Sequence, residues 1–103
     1  MEVKYYHRDI ERFLNSLDKT TRARVDRSIQ LLSQRTYQLM MPDSKRLEKD
    51  LYELRIRSIE NIRIFYTFFD GQIILLYAIH KKSHELKHKD LFTARQRLNF
   101  LRF

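Results

Sequence analysis

The chain holds a single glycine, and it falls in the dipeptide Asp70-Gly71 between two runs that read as strands, 62–69 and 72–80. A two-residue type I′ hairpin turn needs positive φ at both central positions, a need that Asp-Gly meets at little steric cost. The two runs are therefore expected to be antiparallel neighbours. The second contains the longest unbroken apolar stretch of the chain, Ile73 to Ile79. That stretch is far shorter than the ~20 residues a membrane helix requires, so it reads as a buried strand.

The residues before the hairpin also follow a period of two. In LYELRIRS, Tyr52, Leu54 and Ile56 fall on one face and Leu51, Glu53, Arg55 and Arg57 on the other. The next run places Ile62, Ile64, Tyr66 and Phe68 on one face and Arg63, Phe65, Thr67 and Phe69 on the other. Such alternation marks strands with one face on a core and one accessible. Arg55, Arg57 and Arg63 are thus expected to point together toward an open face.

Elsewhere the period lengthens. Val3 and Tyr5, alternating with Lys4 and Tyr6, make a short strand, after which Ile10, Phe13, Leu14 and Leu17 follow the stripe of a helix over about 8 to 17. Asp18 reads as the N-cap of a second helix, whose apolar positions Val25, Ile29, Leu32 and Leu39 or Met40 recur until Pro42 stops it. These two helices are expected to form a hairpin. Leu91, Ala94, Leu98 and Leu101 give a terminal helix from about 88 to 102. The order strand, two helices, three strands, helix predicts an α+β fold with helices against an antiparallel sheet. A chain of 103 residues can bury roughly two-thirds of its unfolded surface, enough for one core, so residues 1–103 read as a single domain.

Composition narrows the function classes. Against 13 Asp and Glu stand 21 Lys and Arg, a net charge of +8, which suits a partner rich in phosphate. The apolar share of 43% is too high for a disordered basic tail, and the charged share of 33% too high for a membrane protein. Residues 1–13 lack the apolar stretch of a signal peptide, which predicts a cytoplasmic location. With no cysteine, a disulfide framework, a thiolate zinc site and a cysteine nucleophile are excluded. One glycine leaves no room for a phosphate-cradling loop or a dinucleotide fingerprint, and no G-x-S-x-G elbow is present.

Between His80 and Phe103 seven Lys or Arg face only Glu85 and Asp90, so this end carries five of the eight net charges. The run is either a solvated helix face or, with the strand arginines, part of one basic patch. His80, His84 and His88 are spaced by four and would share a face on one continuous helix. A strand that runs through Ile79 and a helix that starts at His88 break that face, so no metal site is expected. His84 stands among Lys81, Lys82 and Lys87. Neighbouring cations disfavour its proton, which suits a neutral base near pH 7; the alternative is an ordinary surface histidine.

Lys45-x-Leu47, Leu51-Tyr52-Glu53-Leu54-Arg55, Ile62-Arg63-Ile64-Phe65-Tyr66, the run Ile73 to Leu76, Lys81-Lys82-Ser83, and Ala94 with Arg97 occur in an order and spacing that resembles the RelE/HigB superfamily of bacterial toxins, in its phage-derived HigB-like branch. The resemblance covers rather more than half of the chain. It implies a toxin of a type II toxin–antitoxin pair, a small ribonuclease that cuts messenger RNA in the ribosome. The fold it implies is a curved antiparallel sheet with a helical hairpin on one side and a basic active face on the other. It further implies metal-free, cofactor-free cleavage in which the RNA 2′-hydroxyl attacks the adjacent phosphate. Such chemistry asks for a base, for cations on the phosphorane and for an acid at the leaving oxygen.

By position, the resemblance assigns Arg63 to stabilising the transition-state phosphate and Arg55 to binding it. Lys81 and Lys82 match the family's paired lysines and are assigned to phosphate or ribosomal RNA, and Arg57, Lys45 and Lys87 are further basic candidates for RNA or phosphate binding. His84 stands where the branch usually has glutamine and Lys87 where it has proline; His84 is the candidate acid or base. Tyr66 is the second candidate, although alternation turns it to the core. The implied partners are a HigA-like helix-turn-helix antitoxin, messenger RNA and the ribosome. Two other activities fit a chain of this kind, a ParE-like inhibitor of DNA gyrase and a basic module that binds RNA or a partner without catalysis.

Overall fold

A computed structural model of the chain, describing residues 1–82 and 88–102, has one five-stranded sheet with helices on both faces. In chain order its elements are β1 (Val3–Tyr5), α1 (Arg8–Asn15), α2 (Lys19–Arg35), a 3-10 turn (Thr36–Gln38), β2 (Ser44–Glu48), β3 (Leu51–Arg57), β4 (Asn61–Phe69), β5 (Gln72–His80) and α3 (His88–Arg102). The strands lie in the order β1-β5-β4-β3-β2. β2 through β5 are antiparallel, and β1 joins the edge of β5 in parallel, with Val3 opposite Ile73 and Tyr5 opposite Leu75.

The hairpin that constrains the sheet forms as expected. Phe69 pairs with Gln72, and the two loop residues Asp70 and Gly71 have φ of 52° and 71°, the signs a type I′ turn requires. The Asp18 carboxylate caps α2 by accepting from the Thr21 N–H at 3.1 Å and from the Thr21 hydroxyl at 2.6 Å.

Two elements differ from the sequence reading. The second helix ends at Arg35 rather than at Pro42, because Thr36 takes a left-handed φ of 53°. The Tyr37 ring then lies against Phe68, with centroids 4.1 Å apart, and Leu39 is buried, so the chain turns back onto the sheet where a continued helix would have left it. A fifth strand, β2, also pairs along the edge of β3. Its residues Lys45, Arg46 and Glu48 are exposed, as suits an edge strand.

The sheet separates two cores. α1, α2 and the segment after each bury Ile10, Leu14, Leu17, Val25, Leu32 and Leu39 against one face, which offers Leu54, Ile56, Ile62, Ile64, Tyr66 and Leu75. On the opposite face Ala94 and Leu98 of α3 cover Leu51, Phe65, Ile74 and Leu76. β5 therefore contributes to both cores, which explains its unbroken apolar run. Arg97 ties α3 across the edge of the sheet: it donates to both carboxylate oxygens of Asp9 and, at 2.8 Å, to the Leu76 carbonyl. Its guanidinium also stands 5.4 Å from the ring centroids of Tyr6 and Tyr77. Among the described residues no helix is long and apolar enough to cross a membrane.

Candidate phosphate-binding face

Strand register gathers most of the expected basic residues on the α3 side of the sheet. Arg55 and Arg63 are direct cross-strand neighbours, and Lys45 lies opposite Glu53, which shares their face by alternation. Arg57 and Asn61 form the next pair, and the Asn61 carbonyl accepts from the Lys81 N–H at 2.8 Å. Lys45, Arg55, Arg57, Arg63 and Lys81 thus occupy one end of one face. α3 packs farther back along β3 and β4, over Leu51 and Phe65.

The face is right, but at its centre it is not open. Arg63 is only 5% exposed, and Arg55 is partly buried, while Arg57 and Lys45 are exposed. Between the two inner guanidiniums stands a buried carboxylate. Glu53 Oε1 lies 3.4 Å from Arg55 Nε and 3.7 Å from Arg63 Nε. The outer nitrogens reach elsewhere, Arg63 Nη1 to the Ile62 carbonyl at 3.1 Å and Arg55 Nη1 to Met41 Sδ at 3.4 Å. Among the described residues, Glu53 Oε2 and both Nε atoms have no hydrogen-bond partner.

Two cations against one anion leave this group with a net positive charge and unused donors. Burial holds the Arg63 guanidinium below its ordinary pKa; Glu53 works against that shift, and the charges of Arg55 and Arg57 add to it. Buried donors without acceptors cost free energy. An anion that supplied oxygen atoms to the arginines would lower that cost, and a phosphate matches a guanidinium in charge and in fork geometry.

Lys82 and Lys81 line a second feature at the same end of the sheet, a hollow of about 530 Å³ that also touches Glu60, Asn61 and His80. His80 ends β5 with Nδ1 3.4 Å from Glu60 Oε1, whereas His88 begins α3. The two histidines therefore belong to different elements. His84 and Lys87 lie outside the described residues. Tyr66 faces the helical-hairpin core at 1% exposure and hydrogen-bonds the Ser44 hydroxyl, so its phenol is turned away from the arginines.

The basic run at the end of the chain divides: Lys81 and Lys82 lie at the same end of the sheet as the strand arginines, whereas the arginines of α3 do not. Arg95 grips Glu48 with contacts of 2.8 and 3.1 Å, Arg97 holds Asp9, and Arg102 reaches Asp50 at 2.7 Å. These three arginines fasten α3 to the rest of the fold. Glu53 is the residue whose part the sequence reading missed. Its signal was present in the alternation, which set a carboxylate two positions before Arg55 on the same strand face; the register of β3 and β4 then puts it diagonally across from Arg63.

A family model described as a phage-derived protein, Gp49-like (DUF891), matches residues 12–99 of the chain. No curated protein matches it.

Proposed function

Because the chain belongs to the phage-derived Gp49-like family, which is associated with RelE-like toxins of toxin–antitoxin systems, we propose that it is a HigB-like toxin that cuts messenger RNA on the ribosome. The single observation that carries this reading is the half-satisfied group of Arg55, Arg63 and Glu53 on a basic sheet face. In this role Arg63 and Arg55 neutralise the charge that builds on the scissile phosphate when the neighbouring 2′-hydroxyl attacks it. The proton leaves that hydroxyl for a base, for which His84 is the candidate, and a proton returns to the departing 5′-oxygen. Glu53 is not the base in this scheme. Its carboxylate orients the two guanidiniums and keeps them from turning out into solvent.

Arg57, Lys45, Lys81 and Lys82 steer the RNA and contact its backbone or ribosomal RNA; Lys87 is proposed for the same role. The cell that makes such a toxin must hold it inactive, and a HigA-like helix-turn-helix antitoxin is the proposed partner. The whole chain acts as one toxin domain in the cytoplasm.

The test is cleavage of a messenger RNA positioned on purified ribosomes. The intact chain cuts it between defined nucleotides, and Arg55→Ala and Arg63→Ala lose at least a hundredfold in rate while still binding the antitoxin, as expected for removal of a phosphate-stabilising group. Inhibition of DNA gyrase without RNA cleavage would replace this reading with the ParE-like one.

A further inference from the structure

A second cluster of arginines lies just ahead of the start of β2. β2 begins its pairing at Ser44, opposite Leu54, and the last backbone link is the Arg55 N–H to the Asp43 carbonyl at 2.9 Å. β3 runs on for two more residues, and among the described residues no strand pairs with it on that side. In the gap lies a hollow of about 300 Å³, lined by Arg24, Arg27 and Ser28 of α2, by Asp43, and by Arg55 and Arg57 of β3.

Local geometry makes these side chains converge. Positions 24, 27 and 28 are related by i, i+3, i+4 and share one helix face, while 55 and 57 share one strand face. The preceding arginine of the same helix behaves otherwise, since Arg22 is engaged by Asp26 at 3.0 Å and by Asn15 at 2.9 Å. Arg24, Arg27 and Arg57 are exposed, and none of them makes an ion pair or hydrogen bond among the described residues. Among the described residues that line the hollow, four arginines therefore meet one acid, Asp43. Arg55 belongs to both this hollow and the Glu53 group, so the two sites are contiguous.

We propose that this hollow is a second phosphate subsite, which seats a backbone phosphate of the RNA strand next to the one at Arg63. The inference rests on the RNA-cleaving reading and adds the path the strand takes: from the sheet face, over the open edge of β3, to α2. Guanidinium groups from two elements around one hollow can meet a phosphate from two sides, and the Ser28 hydroxyl supplies a further donor.

The experiment uses programmed ribosomes whose messenger carries one uncharged methylphosphonate linkage, moved stepwise through the positions flanking the cut. For the intact chain, one flanking position raises the half-saturating toxin concentration about tenfold, the scale of one charged hydrogen-bonded contact. In R24A/R27A that concentration is already raised, the same linkage adds nothing, and the rate at saturation is unchanged, the signature of a shared contact. R8A/R12A, which removes two exposed cations of α1, behaves as the intact chain. The proposal is overturned if R24A/R27A binds as the intact chain does, or if its loss simply adds to that of every linkage. Failure of the intact chain to cut any messenger overturns the RNA reading itself, and the subsite with it. Competition by millimolar inorganic phosphate in the intact chain alone, with no linkage effect, would make the hollow a free-anion site and also overturn the proposal.

Discussion

Glu53 shows how much one buried carboxylate decides. It stands 4% exposed in its side chain between two guanidiniums, one of them almost wholly buried. Removing the charge while keeping the shape leaves Arg63 and Arg55 facing each other without compensation. Glu53→Gln should therefore lower stability by about 3 kcal/mol in urea denaturation, the scale of a broken buried ion pair. Arg63→Met in the same chain should return part of that loss, because it removes one of the two stranded cations. Losses that simply add would show that the three groups do not act as a unit. The sequence made the shared face of Glu53, Arg55 and Arg63 legible through a period of two. It did not reveal that the centre of that face is buried, because burial depends on residues far away in the chain. Arg24 and Arg27 of α2 were unreadable for a related reason: on a helix they look like any solvated stripe, and only the start of β2 at Ser44, short of the end of β3, leaves a hollow beside them.

Elements were legible where a local rule acts alone. Asp70-Gly71 fixes the β4–β5 hairpin through its backbone angles, and a Cβ at Gly71 would meet no atom within 4 Å beyond its two chain neighbours. Gly71→Ala should thus cost only the conformational strain of the left-handed region, about 1 kcal/mol, seen as a fall in Tm of roughly 4–8 °C. A fall several times larger would mean that the turn is held by contacts rather than by backbone preference. β2 escaped the pattern because an edge strand carries charge where a central strand carries apolar side chains, and a bulge between Arg46 and Glu48 breaks its alternation. The anchoring of α3 has its own signature in acid. The Asp9 carboxyl is held below its ordinary 3.8, first by its hydrogen bond from Arg97, with the charges of Arg97 and His7 adding and burial opposing. A carboxyl whose pKa falls on folding stabilises the fold above its unfolded value and loses that contribution as pH drops through the folded one. Stability measured from pH 6 down to pH 2 should therefore decline below about 4, and less steeply in Asp9→Asn. An identical decline in the variant would show that the Asp9–Arg97 pair does not contribute to acid stability.

At the scale of the whole molecule, the excess of eight positive charges is sorted rather than spread. The arginines of α3 are bound to acids and serve the fold, whereas those of β3 and β4, with Arg24 and Arg27 of α2, are left with donors to offer at one end of the sheet. This division explains why charge counting along the chain pointed to the terminal segment while the candidate site lies mainly elsewhere. A surface of this kind attracts any polyanion, and its affinity should fall steeply with salt; what distinguishes a toxin is where it cuts. The most direct measurement is to induce the chain alone in a bacterial host and map new 5′ ends of cellular messengers over the following minutes. A toxin that cuts messenger RNA on the ribosome leaves ends inside translated regions, in phase with codons, and Arg55→Ala loses them. Growth arrest without such ends, or no arrest at all, would overturn that reading.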